Sequence, residues 1–315
     1  MGILLAIQGA VSQGVLWGIM ALGVYMTYRV LNIADLTVDG SFALGGSVCA
    51  AMMTLGMNPW LSLLVAIAAG ALSGAVTGFL HTKCEIPAIL AGILTQIGLY
   101  SINLRIMGRS NTPLLKLDTM FKQLMELTGL SSTWVSLITG CIFCGILIAV
   151  LYWFFGTEIG SAIRATGNNE NMVRSLGMNT NVTKMLGLML GNALIALSGG
   201  LVSQSQGYAD IKMGTGAIVI GLASIIIGEV LFGKKLAFGT KLFSIVVGSV
   251  IYRIIVAVVL QLGLNTDDLK LLTAILVAVA LSIPVMLEKR RQTASYKASL
   301  NDIHKEDQEG GHAGN

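Results

Sequence analysis

Long windows without a single Asp, Glu, Lys or Arg dominate this chain: 1–28, 40–80, 86–104, 127–157, 185–209 and 271–287. About 20 apolar residues suffice to cross the hydrocarbon core of a bilayer, so each window can hold a membrane span and 40–80 can hold two. The uncharged segments 213–228 and 242–252 sit in further apolar runs interrupted by Glu229 and Arg253. Nine spans are therefore predicted, at 6–28, 41–57, 60–80, 87–107, 133–155, 185–205, 215–232, 239–262 and 269–287. Charged residues make up only 11% of the chain and hydrophobic ones 54%, where soluble domains have about 25% and roughly 45–50%. A soluble fold is excluded. The expected class is an all-α polytopic membrane protein.

Lys and Arg concentrate in the cytoplasmic loops of such proteins, and this bias sets the orientation. With the N-terminus outside, thirteen basic residues fall on the inner side and six on the outer, with Arg253 inside a span. The outer segment 108–132, carrying Arg109, Lys116 and Lys122, is the chief departure from that rule. The C-terminus is then cytoplasmic, and the polar segment 288–315 reads as a cytoplasmic tail behind a membrane domain of 1–287. The net charge of +4 is strung between the spans, so it reports topology and gives no reason to expect a nucleic acid partner. The first apolar run has neither a basic start nor a small-residue cleavage site, so it reads as a retained span in contact with lipid.

Catalysis finds little support. The histidines are His81, His304 and His312, none deep in a span, so a Ser–His or two-His metal plan has nothing to build on. Cys49, Cys84, Cys141 and Cys144 lie in or beside apolar runs, where free Cys acts as a small hydrophobe, and Cys141-x-x-Cys144 has no redox fold around it. The stretch from Gly228 to Lys235 comes one residue short of a phosphate loop, lacks its Ser or Thr, and ends an apolar helix instead of joining a strand to a helix. No catalytic residue, metal or cofactor is expected. Glycines at helical spacing, as in Gly14-x-x-x-Gly18, Gly70-x-x-x-Gly74-x-x-x-Gly78 and Gly187-x-x-x-Gly191, allow helices to approach closely.

Many spans without a catalytic centre suggest passage of a solute, and the loop 156–184 bears on what drives it. Asn168 or Asn169 can cap a helix with Glu170 in its first turn, and Gly177 supplies a left-handed stop. Met172 and Leu176 share one face of that short helix, while Arg174 projects elsewhere. A helix of about two turns is marginal in water and needs a partner surface, in its own bundle or on another protein.

Two motifs carry a family resemblance. Gly160-x-Ala162-x-Arg164-Ala165-x-Gly167-x-Asn169, then Arg174-x-x-Gly177, followed by Leu194-x-Ala196-Leu197-x-Gly199-Gly200, resembles the coupling loop of permease subunits in ABC importers for branched-chain amino acids and sugars. The run Gly18-x-x-Ala21-Leu22-Gly23 through Asn32-Ile33-Ala34-x-Leu36 to Gly45-Gly46 is similar to the first span and break of the same permeases. The wording from Leu31 to Phe42 is closer still to a subgroup associated with tryptophan and tyrosine uptake. The resemblance covers about 10–287 and implies a type II importer-like fold in a bacterial cytoplasmic (inner) membrane. It also implies two copies of the permease as a homodimer, two cytoplasmic ATPase subunits, and an external or periplasmic binding (lipo)protein. On this reading Arg164, Ala165, Gly167, Asn169, Glu170, Arg174 and Gly177 couple the loop to the ATPases. The imported solute is then an amino acid, aromatic by subgroup, with branched-chain amino acids, nucleosides and sugars left open.

The polar residues in the spans admit two readings. Asp35, Thr37, Asp39 and Ser41 are either ordinary loop polarity or a broken helix lining the solute pathway. Arg253, near the middle of its span, must face protein or water, because a charge there costs about 2.5–3.5 kcal/mol on insertion scales. It is either half of an ion pair, with Glu229 or Asp39 as the acid, or a contact for a solute carboxylate. Gln96 and Asn103 are further pathway candidates, while Asn192, Gln204, Gln206 and Tyr208 suit hydrogen bonds between helices. The competing function is an ion-coupled secondary transporter in which Glu229, Asp39 and Arg253 form an ion or proton site. A scaffolding membrane protein would not need charges at that depth.

Overall fold

Helix α1 (Gly2–Tyr25) opens the chain and widens without a break into a π-helical turn at Met26–Val30. The structure, a computed structural model, describes residues 2–233 and 237–262, together with 268, 271–275, 277–279 and 282. The expected span 269–287 is thus described only in part, and Lys234, Lys235 and the tail 288–315 lie outside the described residues. Among the described residues, six helices are long and apolar enough to cross a membrane. They are α1 with its π turn (Ala6–Val30), α3 (Pro59–Thr82), α4 (Ala88–Met107), α6 (Ser132–Phe154), α9 (Thr180–Gln206) and α11 (Phe238–Gln261). The predicted spans 41–57 and 215–232 correspond to shorter helices, α2 (Val38–Thr54) and α10 (Ala217–Phe232).

Capping explains where several of these helices start. Asn58 accepts a hydrogen bond from Trp60 N and Pro59 occupies the first helical position of α3, where its missing N–H is no loss. Asn179 starts α9 in the same way through Asn181 N and Val182 N.

The centre of the bundle is α9, with α1 beside it. Within the span windows 72% of α9 and 67% of α1 are buried, against 28% of α4, which leaves α4 as the most open of the long helices. α9 packs on α1, α2 and α3, and α1 packs in turn on α6, α10 and α11. Without a hydrophobic drive between helices in lipid, association rests on close packing and interhelical hydrogen bonds. Small residues supply the first. A Cβ on Gly45 would run into the Ala196 carbonyl and one on Gly199 into that of Phe42, so α2 and α9 touch backbone to backbone. The Gly70, Gly74 and Gly78 stripe of α3 faces α9 in the same manner.

The two ends of the bundle are built differently. At one end β1 (Asn111–Pro113) pairs antiparallel with β2 (Tyr208–Asp210), Asn111 opposite Asp210, and this strap joins the end of α4 to the end of α9. Beside it lies α5 (Met120–Thr128), begun by Thr119 and ended at Gly129. Gln204 fastens this end, accepting from Met120 N at 2.9 Å and donating to the Pro59 carbonyl at 3.2 Å. The other end carries α7 (Glu158–Asn168) and α8 (Glu170–Ser175). The expected short helix after Asn169 is α8. The preceding α7 is an addition to that expectation; Thr157 caps it and Glu158 stands in its first turn.

Candidate solute pathway and coupling site

Between α1 and α2 the chain leaves helical geometry at residues 31–37, beside the middle of α9. Asn32 adopts a left-handed conformation, φ 56°, which Asn tolerates better than most residues. Asp35, only 2% exposed, accepts from Thr37 N at 2.9 Å and so folds the turn that starts α2. Its other oxygen accepts from Asn192 Nδ2 at 2.7 Å. Ser41 donates to Asn192 Oδ1 at 2.7 Å and lies 2.7 Å from Ser73 Oγ, while Thr37 meets Thr77 at the same distance. Asp35, Thr37 and Ser41 are thus consumed in a buried network that ties the break to α3 and α9. A fully satisfied network of this kind fixes one arrangement of the chain.

Asp39 has a different task. Its Oδ2 accepts from Gly216 N at 2.8 Å and its Oδ1 from Ile218 N at 3.0 Å, so one carboxylate covers the N-terminus of α10. Free N–H groups and the positive end of the helix dipole both favour an anion there. Asp39 also lines a cleft of about 310 Å³, together with Gly40, Gln96, Tyr100, Asn103 and Thr215. Gln96, Tyr100 and Asn103 stand at helical spacing on one face of α4, a pattern legible in the sequence that picks out Tyr100 as well as the two expected residues. Asn103 is 1% exposed; its Nδ2 reaches the Gly40 carbonyl at 3.4 Å and its Oδ1 has no partner among the described residues.

Of the two readings of Arg253, the ion pair finds no acid among the described residues. The Arg253 guanidinium lies 4.0 Å from the centre of the Trp17 ring, a cation–π stack between α11 and α1. Both acids considered for it are engaged elsewhere. Glu229 pairs with Arg29, and Asp39 is on α10. Arg253 does not line the cleft of Asp39, Gln96 and Asn103. An ion site made of Glu229, Asp39 and Arg253 has no counterpart, because the three residues stand in three separate settings. Asn192 and Gln204 do join helices through hydrogen bonds, as expected.

The loop 156–184 packs more tightly than a projecting connector. Ile163 of α7 is fully buried, and Arg164 lies over the Phe238 ring at 4.9 Å. The Ala165 carbonyl accepts from Asn169 N at 2.9 Å, and the Asn169 side chain accepts from Met172 N at 3.1 Å to start α8. Gly167 rests on the Val30 carbonyl, where a Cβ would clash, so α7 bears directly on the π turn that ends α1. Gly177, φ 83°, ends α8 as predicted. Arg174, off the face of Met172 and Leu176, reaches Glu170 at 3.1 Å, and Lys184 of α9 reaches the same carboxylate at 2.7 Å. The hydrogen bond from Lys184 holds the Glu170 carboxyl below its ordinary pKa. Met172 and Leu176 remain exposed, as does Ile159.

Residues 6–282 match the family described as "Branched-chain amino acid transport system / permease component". The chain belongs to this family. The permease is 42% identical over 276 residues to a "Tyrosine transport system permease protein" of Clostridioides difficile (strain R20291), covering 88% of this chain and 90% of the relative. It is 35% identical to an uncharacterized protein of Rickettsia prowazekii (strain Madrid E), over 87% and 95% of the two chains. A ribose import permease protein of Escherichia coli (strain K12) is 27% identical over 58% of this chain and 56% of its own length. Among solved structures, a chain of "PsaBC from Streptococcus pneumoniae in complex with Fab" aligns with TM-score 0.49 at 16% identity, over 87% and 90% of the two chains. The protein is the permease component of an ABC transport system, and its helices are those of a multi-pass membrane protein.

Proposed function

We propose that this permease forms the solute path of an ATP-driven importer for an amino acid, aromatic in preference, in a bacterial cytoplasmic membrane. The observation that carries the reading is the seating of Gly167 on Val30. It connects the loop helices to the break between α1 and α2, and Asp39 at the start of α2 lines the cleft. Two copies form a homodimer, two cytoplasmic ATPases receive the exposed Ile159, Met172 and Leu176 face of α7 and α8, and an external binding protein delivers solute at the strap end. The N-terminus is outside and the coupling loop cytoplasmic. Arg164, Ala165, Gly167, Asn169, Glu170, Arg174 and Gly177 shape the loop. Gln96 and Asn103 line the path, joined there by Tyr100. Asp35, Thr37 and Ser41 hold the break that frames it, and Asp39 does both. The aromatic preference is supported by the extent of identity to the tyrosine transport permease.

Proteoliposomes holding the permease with its ATPases, supplied with binding protein, should accumulate radiolabelled L-tyrosine only when ATP is present. Uptake that persists without ATP and collapses with an ion gradient would overturn the reading in favour of a secondary transporter.

A further inference from the structure

A second cleft, of about 500 Å³, lies at the coupling-loop end, between the α1–α2 break, the turn joining α3 to α4, and the loop helices. Its volume falls within the range of about 300–1,000 Å³ that small-molecule sites occupy. Its walls are of two kinds. Leu31, Ile33, Ala88 and Ile89 supply apolar surface, and Glu170, Lys184 and His81 supply polar groups.

Those polar groups retain capacity to bind. Lys184 has three N–H donors and spends one on Glu170 Oε2, and that oxygen accepts from no other described residue. His81 Nδ1 faces the Ile86 carbonyl at 2.9 Å; a carbonyl only accepts, so Nδ1 carries the hydrogen and Nε2 is left for another partner. Because Arg174 shares the Glu170 carboxylate, the cluster holds two cations to one anion beside an apolar wall. An ammonium donor, an open carboxylate oxygen and an adjoining apolar surface are the complement of a zwitterion with an apolar side chain.

We propose that this cleft is a cytoplasmic binding site for the imported amino acid, whose carboxylate meets Lys184 and whose ammonium meets Glu170. The inference rests on the amino-acid reading above. The cleft is bounded by the very parts that must shift relative to each other when the loop acts on the break. A ligand that bridges them favours the arrangement it binds and slows the cycle. Accumulated product thereby restrains its own import.

The test uses proteoliposomes with the ATPases facing the bath and with binding protein and L-tyrosine enclosed. L-tyrosine added to the bath should lower ATP hydrolysis several-fold, whereas 3-(4-hydroxyphenyl)propionate, which lacks the ammonium, should not. Ala88→Phe and, independently, His81→Phe should abolish the inhibition while keeping stimulation by loaded binding protein. Leu127→Ala, on the exposed face of α5 away from both clefts, should keep the stimulation and the inhibition. Inhibition that survives both cleft variants, or that is lost in Leu127→Ala, overturns the proposal. ATP-dependent release of the enclosed L-tyrosine into the bath, followed with radiolabel in the same vesicles, separates the two readings: no release refutes the amino-acid reading, and release without bath inhibition refutes only the cleft.

Discussion

The carboxamide of Asn192 donates to Asp35 and accepts from Ser41, each at 2.7 Å, so one side chain in the middle of α9 holds the break between α1 and α2 together with the first turn of α2. Replacing it with Leu leaves the buried Asp35 carboxylate dependent on Thr37 alone. An orphaned buried group costs about 1–3 kcal/mol, more when charged. Asn192→Leu should therefore lower the melting temperature of the purified permease, and Asn192→Asp should lower it further by setting two carboxylates against each other. Equal melting temperatures for Asn192→Asp and wild type would refute the network's role.

Asp39 makes a second prediction. Loss of an N-terminal cap costs about 0.5–2 kcal/mol, so Asp39→Ala should loosen the start of α10 and Asp39→Asn, which keeps one acceptor oxygen, should loosen it less. Hydrogen exchange at Ala217 to Ile220 reads this directly. Unchanged protection in Asp39→Ala would contradict the cap.

For Arg253 the expected sign follows from its partner. Arg253→Met removes a desolvated cation–π contact worth about 2 kcal/mol, but it also removes a buried charge whose insertion costs about 2.5–3.5 kcal/mol. Stability should hold or rise. A marked drop in melting temperature would point to an acid partner after all. Trp17→Leu, which strips the ring from a retained charge, should be the destabilising member of the pair.

Gly167→Ala tests the joint between loop and bundle. A methyl group there meets the Val30 carbonyl, and overpacking of this kind costs about 1–3 kcal/mol. The variant should assemble with its ATPases yet lose much of the hydrolysis that loaded binding protein stimulates. Normal stimulation would show that this contact does not carry coupling.

The Glu170 contacts give a pH dependence with a definite sign. The folded-state pKa is lowered, so the stabilisation is present above the unfolded carboxylate value of about 4.3 and is lost as pH falls through the lower folded value. Hydrogen-exchange protection of α8 should be flat from about pH 8 to 5 and fall below that window. Glu170→Gln should be weakly protected at every pH; a pH-independent profile in the wild type would refute the assignment.

Much of this architecture is legible in the sequence because lipid leaves little choice: charge-free windows mark the helices, and Asn169 and Gly177 mark the limits of α8. The rest depends on partners remote in the chain. Asp39 reads as loop polarity or as pathway lining, and its capping of α10 stays hidden because Gly216 is 177 residues away. Arg253 demands a partner, but no local pattern reveals that a Trp ring, not an acid, supplies it. The burial of α7 is equally hidden, since its docking depends on Val30 and Phe238.

The β1–β2 strap bears on how the chain is made. Asn111 and Asp210, which close it, are 99 residues apart, with α6 and α9 between them. During synthesis the segment after α4 reaches its side of the membrane long before its pairing strand exists. The strap and the Gln204 contacts to Met120 and Pro59 can form only once α9 has crossed. This end of the bundle therefore closes late, and a chain interrupted before α9 would expose an unpaired strand edge to whatever quality control patrols that surface.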